Sequence, residues 1–328
     1  MIVPEFWAEA RIQKRFPDRQ ITVRRFGWSD VSQDEAQRHA DERVREAFDR
    51  VVAGEELPRR EQKVRYNGAD GLPIREEIID RFRNCVVTRN SYGARCLNTP
   101  DVFFADVDCF SSPFEGLGVC GMIIIASVII GSAVGYQLSS IAIGVLATFI
   151  GAILISIVGE RMHRMVVRGR GGREHLARRR IRRFAAAHPN WHLQIYRTPN
   201  GFRVMALHRT FDPRSVEVAA AFKALGVDRT YAVMCQKQNC FRARLTAKPW
   251  RIGIEHHLKP RPGVWPITED RLPARRIWID EYESSAKNYA ACRFESAVGD
   301  VMTVSGEAEA VRDYHDRACG ANRDVDLA

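Results

Sequence analysis

The feature that most limits how this chain can fold is a run of 44 residues, between Glu115 and Glu160, that contains no Lys, Arg, Asp or Glu. A single straight helix of that length is about 66 Å long, roughly twice the ~30 Å thickness of a bilayer's hydrocarbon core. Two helices of about 20 residues match that thickness, and the most polar part of the run, residues 136–140, marks the turn between them. The sequence therefore predicts a transmembrane helical hairpin at 117–158, with a buried core hairpin of a soluble protein as the alternative.

The arginines that follow this run predict its orientation. Residues 160–183 contain ten arginines and two glutamates. Lys and Arg within about 15–20 residues of a span stay on the cytoplasmic side, and a hairpin returns the chain to the side that it left. Residues 1–116 and 159–328 are therefore expected to lie together in the cytoplasm, with both termini on that side of the membrane. In a bacterium this membrane is the inner one.

Net charge and cysteine content indicate which partners and which redox compartment suit the polar segments. The formal net charge is +10, and much of the excess follows the apolar run; such a balance fits nucleic acid, anionic lipid or topology control. The eight cysteines include no CxxC pair and no framework spacing, as is typical of unpaired thiols in a reducing compartment. The first residues lack the apolar core that a cleavable signal needs, so we expect none.

Outside the apolar run, short strand patterns alternate with helical patterns. Residues 2–30 are expected to be irregular apart from one strand, and the dipeptide Asn200-Gly201 predicts a two-residue β-hairpin. Strands are predicted at Gln20–Phe26, Cys85–Thr88, Val102–Cys109, Trp191–Arg197, Phe202–His208, Tyr231–Cys235 and Phe241–Leu245, and helices at Ser32–Val52, Ile74–Phe82, Arg173–Ala187 and Val216–Leu225. Antiparallel hairpins with flanking helices predict an α+β domain, formed by 1–116 and 159–328 and interrupted by the membrane hairpin.

Asp106 and Asp108 end a predicted strand that starts with four apolar residues. Side chains alternate along a strand, so these two carboxylates point to the same face, about 7 Å apart. A pair held in this way can bind divalent cations, and paired cations stabilise the oxygens of a phosphoryl displacement. The alternative is an ordinary strand end that leaves two solvated aspartates.

Two later stretches supply further candidates. His208 closes the apolar row of the strand that begins at Phe202, where a histidine is more often a core residue than a functional one. Arg242 and Arg244 share the face of another predicted strand, and Lys248 follows them. Such a basic group suits a triphosphate or a nucleic-acid backbone, and a solvated basic edge is the alternative.

In their order along the chain, these stretches resemble the archaeo-eukaryotic primase superfamily. That family is marked by an apolar strand ending in Asp-x-Asp, then a small-x-His strand, and then a third acidic position near basic residues. Here Phe104–Asp108 (FADVD) looks like the first motif and Ala206–His208 (ALH) looks like the second. The segment from Arg242 to Lys248 is similar to the surroundings of the third. The third position itself departs from the family, with Asn239 or Cys235 near it and Asp228 and Asp280 as distant substitutes.

The resemblance implies a primase-like antiparallel-sheet domain and a role for each residue. Asp106 and Asp108 would hold Mg²⁺ or Mn²⁺, and His208 would complete the catalytic group by contacting the phosphates of an incoming nucleotide. A nucleoside triphosphate or a nucleic acid would be bound by Arg203, Arg242, Arg244 and Lys248.

Three functions are compatible with these observations. The leading one is a membrane-anchored, primase-like protein that binds nucleotide or nucleic acid, with metal-dependent nucleotidyl transfer if the site is active. The second is a non-catalytic module on the same fold that tethers nucleic acid to the membrane, which the absent third acid favours. The third is a membrane scaffold whose basic stripe sets topology and touches anionic lipid. In all three, the lipid bilayer is a partner through residues 117–158.

Overall fold

The structure, a computed structural model, describes residues 1–59, 73–109, 117–169, 172–260 and 265–328. In these ranges the strands are β1 (Phe6–Arg15), β2 (Gln20–Ser29), β3 (Glu77–Phe82), β4 (Cys85–Arg89), β5 (Arg95–Thr99), β6 (Phe104–Asp108), β7 (His192–Thr198), β8 (Gly201–Ala206), β9 (Phe241–Arg244) and β10 (Arg293–Gly299). The helices are α1 (Gln33–Val52), α2 (Leu117–Gln137), α3 (Ile141–Gly169), α4 (Gly172–Ala187), α5 (Val216–Leu225), α6 (Arg229–Gln238), α7 (Leu272–Ala286) and α8 (Gly306–Cys319).

The first fifty residues form a small unit with its own hydrophobic core. Strands β1 and β2 pair antiparallel, and α1 packs on them through a row of buried alanines and valines. Ser32 caps the N-terminus of α1, because its side chain accepts a hydrogen bond from the backbone N–H of Glu35 at 3.2 Å. At Gly27 an added Cβ would lie 2.1 Å from the backbone nitrogen of Ala40, so only glycine lets the helix approach the strand this closely.

Two four-stranded antiparallel sheets form the rest of the fold, with strand orders β10-β7-β8-β6 and β3-β4-β5-β9. Each sheet contains strands from before and after α2 and α3: β6 pairs with β8, and β5 pairs with β9. The predicted α+β class with antiparallel sheets is confirmed. Both sheets depend on chain segments from either side of the helical hairpin.

An aromatic core holds the two sheets together. Phe103, which precedes β6, is fully buried and has its ring centroid 5.4 to 5.7 Å from those of Trp191, Phe211, Phe222 and Phe241. Phe241 belongs to β9 and Phe222 to α5, while Trp191 directly precedes β7 and Phe211 lies in the loop between β8 and α5. The burial of Phe103 therefore ties these segments together. Burying one such ring contributes about 1.5–3 kcal/mol to stability.

Helices α2 and α3 form the antiparallel hairpin that the charge-free run predicts, with the turn at residues 138–140. They approach closely where Gly131 and Gly135 face Gly144: an added Cβ on Gly135 would lie 2.9 Å from the Gly144 Cα. Gly151 lies farther from α2, since an added Cβ there would be 3.9 Å from Ser127. One helix of the described chain, at Ile141–Gly159, is long and apolar enough to cross a membrane, and Ile123–Gln137 is a shorter apolar helix.

Several segments differ from their predicted structure because pairing with distant strands overrides local pattern. Residues 2–30 form two paired strands, and Glu77–Phe82 is strand β3 where a helix was predicted, because it pairs with β4. Tyr231–Cys235 lies in helix α6 where a strand was predicted; a short apolar run does not distinguish the two by periodicity. Strand β5 occupies a stretch predicted as a polar loop, since it is paired on both sides.

Candidate functional site

A cavity of about 230 Å³ lies where the two four-stranded sheets meet. The hydroxyl of Tyr231 on α6 lies 3.0 Å from the backbone oxygens of both Phe104 and Arg242, and its one proton can be donated to either, so it bridges β6 and β9 beside the cavity. The charged side chains that line the cavity are Asp106, Asp108, Arg203, Asp228, Arg242, Arg244, Lys248 and Arg251. Six of the seven predicted site residues are thus brought to one place.

Asp106 and Asp108 both line the cavity, while Val107 between them is buried in the core. Strand alternation therefore places the two carboxylates on one face, as predicted. Asp106 sits directly across from Arg203 in the β6–β8 register, and the two form an ion pair with Nε–Oδ1 at 2.9 Å. The negative charge of Asp106 is therefore compensated within the protein, and Asp108 carries the less compensated charge.

A third carboxylate, Asp228, lines the same cavity. It caps α6 by accepting a hydrogen bond from the backbone N–H of Tyr231 at 2.9 Å. Burial, with Asp106 and Asp228 adding negative charge, raises the pKa of Asp108 above its usual value. The sequence offered Asp228 only as a distant substitute for a missing acid, and the turn between α5 and α6 brings it to the cavity.

Arg244, Lys248 and Arg251 face these carboxylates from β9 and the residues that follow it. In the part of the chain that the structure describes, none of the three has a carboxylate oxygen within 4.0 Å. Arg251 donates through Nη2 to the Asn200 side chain at 2.7 Å, and its buried Nη1 has no hydrogen-bond partner among the described residues. Burial and the adjacent guanidinium groups of Arg244 and Arg251 lower the pKa of Lys248 to about 8.

Arg203 and Arg242 also line the cavity, but their charges are engaged elsewhere. Arg203 is 1% exposed and bonds Asp106 as well as the backbone oxygen of Arg244 at 2.9 Å. Arg242 is buried and pairs with Glu76. Both residues were predicted to bind a ligand, and their contacts make them parts of the cavity wall whose positive charge is already matched.

His208 lies outside this cavity, so its predicted place beside Asp106 and Asp108 is wrong. In the β6–β8 register the partner of Asp106 is Arg203, and His208 is five residues further along the chain, two residues past the end of β8. Its ring packs on Trp191 and Phe211, with centroids 4.9 and 5.4 Å away. Burial, with Arg209 nearby, lowers its pKa to about 4, as for an uncharged core histidine.

The three carboxylates are not gathered as tightly as a preformed metal centre. Among the described residues, the one group of three metal-binding side chains whose ligand atoms all lie within 4.8 Å of one another lies elsewhere. A divalent cation at Asp108 and Asp228 would therefore have to draw the two side chains together, with a phosphate group supplying further oxygens. Mg²⁺ is commonly held in this way, by one or two carboxylates together with substrate phosphates and water.

Comparison of the chain with protein-family models, curated proteins and solved structures gave no significant match. From the sequence, Asp228 was only a distant substitute for the third acid, and Arg251 was given no role of its own. The available signals were the position of Asp228 at a helix N-cap and the spacing of Arg251 after two other cations.

Proposed function

We propose that this chain is a membrane-anchored protein that binds the phosphate groups of a nucleotide or nucleic acid, together with Mg²⁺ or Mn²⁺, in the cavity between its two sheets. The observation that carries the proposal is that positively and negatively charged side chains face each other across that cavity. Arg244, Lys248 and Arg251 face it without carboxylate partners in the described chain, and Asp108 and Asp228 lie opposite. Cations crowded together in this way repel one another, and a bound polyanion removes that repulsion.

The size and surroundings of the cavity favour a nucleotide over free phosphate. A volume of about 230 Å³ lies below the ~300–1,000 Å³ that encloses a whole drug-sized ligand, so phosphates fit inside and a base would lie outside. The ring of Trp250 is about half exposed and contacts the edge of Tyr92, a residue of the cavity wall. Exposed aromatic rings beside a basic groove are typical platforms on which bases stack.

Metal-dependent nucleotidyl transfer is a second candidate, and the position of Asp228 favours it. The resemblance to the primase superfamily implies three acids at the site, and Asp228 now joins Asp106 and Asp108 at one cavity. A cation that drew Asp108 and Asp228 together would polarise a phosphoryl group for in-line displacement. The loss of His208 from the site removes one predicted phosphate ligand, and Lys248 is positioned to take its part.

The helical hairpin supplies the membrane anchor in this proposal. Its large apolar side chains face outward along both helices, including Ile125, Ile129, Phe149 and Ile153, each about 60% exposed or more. An apolar surface of this extent is expected to contact lipid or another protein. The ten arginines at 160–183 support a lipid interpretation, since they match the cytoplasmic flank of a span.

The test uses the full chain in detergent and compares its melting temperature with tripolyphosphate, with Mg²⁺, with both and with neither. We expect a shift from tripolyphosphate that is larger with Mg²⁺, by mass action on the folded state. Lys248→Met and Arg251→Met should each reduce the shift, while Lys223→Met, which removes an exposed lysine on α5, should not. An equal response in all variants would contradict the proposal. Incorporation of labelled nucleotide that is lost in Asp108→Asn and Asp228→Asn would support transfer.

A further inference from the structure

A second cluster of reactive side chains lies on the far side of Arg203 from the cavity. Cys292 immediately precedes β10, while His315 and Cys319 are four residues apart on α8 and therefore share one helix face. The three side chains are fully or almost fully buried. The two sulfur atoms are 3.3 Å apart, and each lies 3.8 Å from His315 Nε2.

These separations are close to those of a tetrahedral zinc site. With Zn–S bonds of about 2.3 Å and Zn–N bonds of about 2.0 Å, neighbouring sulfur ligands lie about 3.8 Å apart, and sulfur and nitrogen lie about 3.5 Å apart. The sulfur atoms of Cys292 and Cys319 would have to separate by about half an ångström. Their present separation is well beyond the ~2.05 Å of a disulfide, and both are free thiols.

Asp316 orients the histidine for metal binding. Its carboxylate Oδ1 lies 2.8 Å from Nδ1 of His315. Nδ1 therefore carries the ring proton and donates a hydrogen bond to Asp316. Nε2 is then left without a proton as the metal-binding atom, 3.8 Å from each sulfur. Because Cys319 Sγ also lies 3.9 Å from Nδ1, the imidazole would have to rotate for the Nε2 lone pair to point at a metal between the sulfurs. A carboxylate that accepts from the far nitrogen of the imidazole is the usual second-shell partner of a metal-bound histidine.

Arg203 is compatible with a metal at this position. Its Nη1 lies 3.2 Å from His315 Nε2 and 2.9 Å from the backbone oxygen of Arg244. When Nε2 binds a metal, Nη1 keeps the Arg244 oxygen as the acceptor for one of its two N–H groups, and the second N–H loses the His315 nitrogen as its acceptor. Zn²⁺ with two thiolates carries no net charge, and the Arg203–Asp106 pair beside it is also neutral, which limits the cost of burial.

We propose that Cys292, His315 and Cys319 hold a zinc ion that fixes α8 to the start of β10. Two cysteines and one histidine leave a fourth position for water or another donor. The metal would link two segments that are distant in the sequence and that are otherwise joined here by packing and backbone hydrogen bonds, such as that from Ala291 N to Cys319 O at 2.9 Å.

The unaltered full chain provides the first test. After purification in detergent under reducing conditions and without chelators, it should contain about one zinc ion per chain by plasma mass spectrometry. Modification of the thiols should release that zinc to a chromogenic chelator. Replacement by Co²⁺ should give the intense near-ultraviolet absorption of thiolate-to-cobalt charge transfer. These measurements need no variant, so a misfolded substitution cannot confuse them.

Variants then assign the ligands. Cys292→Ser and Cys319→Ser should each lose the bound zinc and the cobalt absorption, while Cys85→Ser, at a buried cysteine outside the cluster, should keep both. A metal-free parent chain without cobalt absorption would overturn the proposal. So would a Cys292–Cys319 disulfide in freshly purified protein, or full zinc content in Cys292→Ser. Binding of tripolyphosphate is measured separately, so failure of the zinc site leaves the phosphate proposal intact.

Discussion

Arg203 connects two parts of the molecule at the scale of single residues. Its guanidinium bonds Asp106 in the cavity wall, the backbone of Arg244 and the ring of His315. Because Arg203 is 1% exposed, removal of its carboxylate partner leaves a buried charge without compensation, which is far costlier than loss of a surface ion pair. The charge of Asp106 therefore stabilises the fold, whereas the charge of Asp108 does not, although the two aspartates share a strand face.

Substitutions at the two aspartates should show this difference. Asp106→Asn should lower the free energy of unfolding by about 2 kcal/mol, since it weakens charge-assisted hydrogen bonds to Arg203. Asp108→Asn should leave it unchanged or raise it at neutral pH, because burial and neighbouring carboxylates disfavour the charged form of Asp108 and raise its pKa. Urea titrations of the full chain in detergent, followed by tryptophan fluorescence, compare them. An equal decrease in the free energy of unfolding in both variants would show that the Asp106–Arg203 ion pair does not stabilise the fold more than Asp108 does.

Lys248 should make phosphate binding depend on pH. Its pKa in the folded protein is lowered to about 8 by burial and by Arg244 and Arg251, below its unfolded value. The free energy of unfolding is therefore higher at high pH, where Lys248 is neutral. That gain is lost as pH falls through about 8, because Lys248 then becomes a third cation beside Arg244 and Arg251. A bound polyanion favours the charged lysine, so affinity should fall about tenfold as pH rises through that value.

Isothermal titration with tripolyphosphate in the full chain measures this dependence. Lys248→Arg keeps the positive charge through the same range, because an arginine stays protonated, and its affinity should change little with pH. If the parent and Lys248→Arg vary in parallel, a different group titrates and Lys248 does not contact the ligand.

At the scale of elements, the α2–α3 hairpin depends on a few close contacts between small residues. Without a strong hydrophobic drive inside lipid, helices associate through close packing, for which small residues are preferred. The contact surface here involves Gly131, Gly135, Gly144 and Thr148. Which residues of α3 face these glycines depends on how each helix is rotated about its axis, and composition does not set that rotation.

Two glycine substitutions test this packing. A Cβ at Gly131 would lie 1.9 Å from the Thr148 hydroxyl and 2.6 Å from the Gly144 oxygen, so Gly131→Ala should push the helices apart. At Gly151 the nearest atoms are those of Ser127 at 3.9 Å, and Gly151→Ala should be tolerated or should stabilise its helix. Spin-label distances between the open ends of the two helices should broaden only in Gly131→Ala. Unchanged distances in both would mean that the observed contact does not hold the pair together.

At the scale of the whole molecule, the sheets require both halves of the chain on one side of any membrane. Strand β6 pairs with β8 and strand β5 with β9 across the hairpin insertion. The chain leaves the sheet at β6 and returns through α4, which packs its buried residues Ala177, Ile181 and Phe184 on the same core. A membrane that separated the two halves would break both sheets.

Reporter fusions in a bacterial host test the resulting topology. A reporter that is active only in the periplasm should be inactive when fused after Ala328, since the C-terminus is proposed to be cytoplasmic. The same reporter inserted at Ser139, in the turn of the hairpin, should be active. Activity at Ala328, or inactivity at Ser139 in a membrane-inserted chain, would contradict the proposed hairpin anchor.

Sequence alone was sufficient wherever a local pattern carries the physical cause. The charge-free run predicted the helical hairpin and its turn. Asn200-Gly201 predicted a hairpin between β7 and β8, but the register pairs Thr198 with Gly201, so the two loop residues are Pro199 and Asn200. Period-two alternation placed Asp106 and Asp108 on one face. These features depend on neighbouring residues only, through charge, turn conformation and strand periodicity.

Tertiary structure alone decided which distant residues meet. The β6–β8 register placed Arg203, and not His208, opposite Asp106, and a one-residue change of register would have reversed every facing side chain. The N-cap of α6 brought Asp228 to the cavity, and the packing of α8 gathered Cys292, His315 and Cys319, although no cysteine spacing indicated them. Contacts between segments far apart in the chain depend on register and packing of the whole fold, which no local pattern contains.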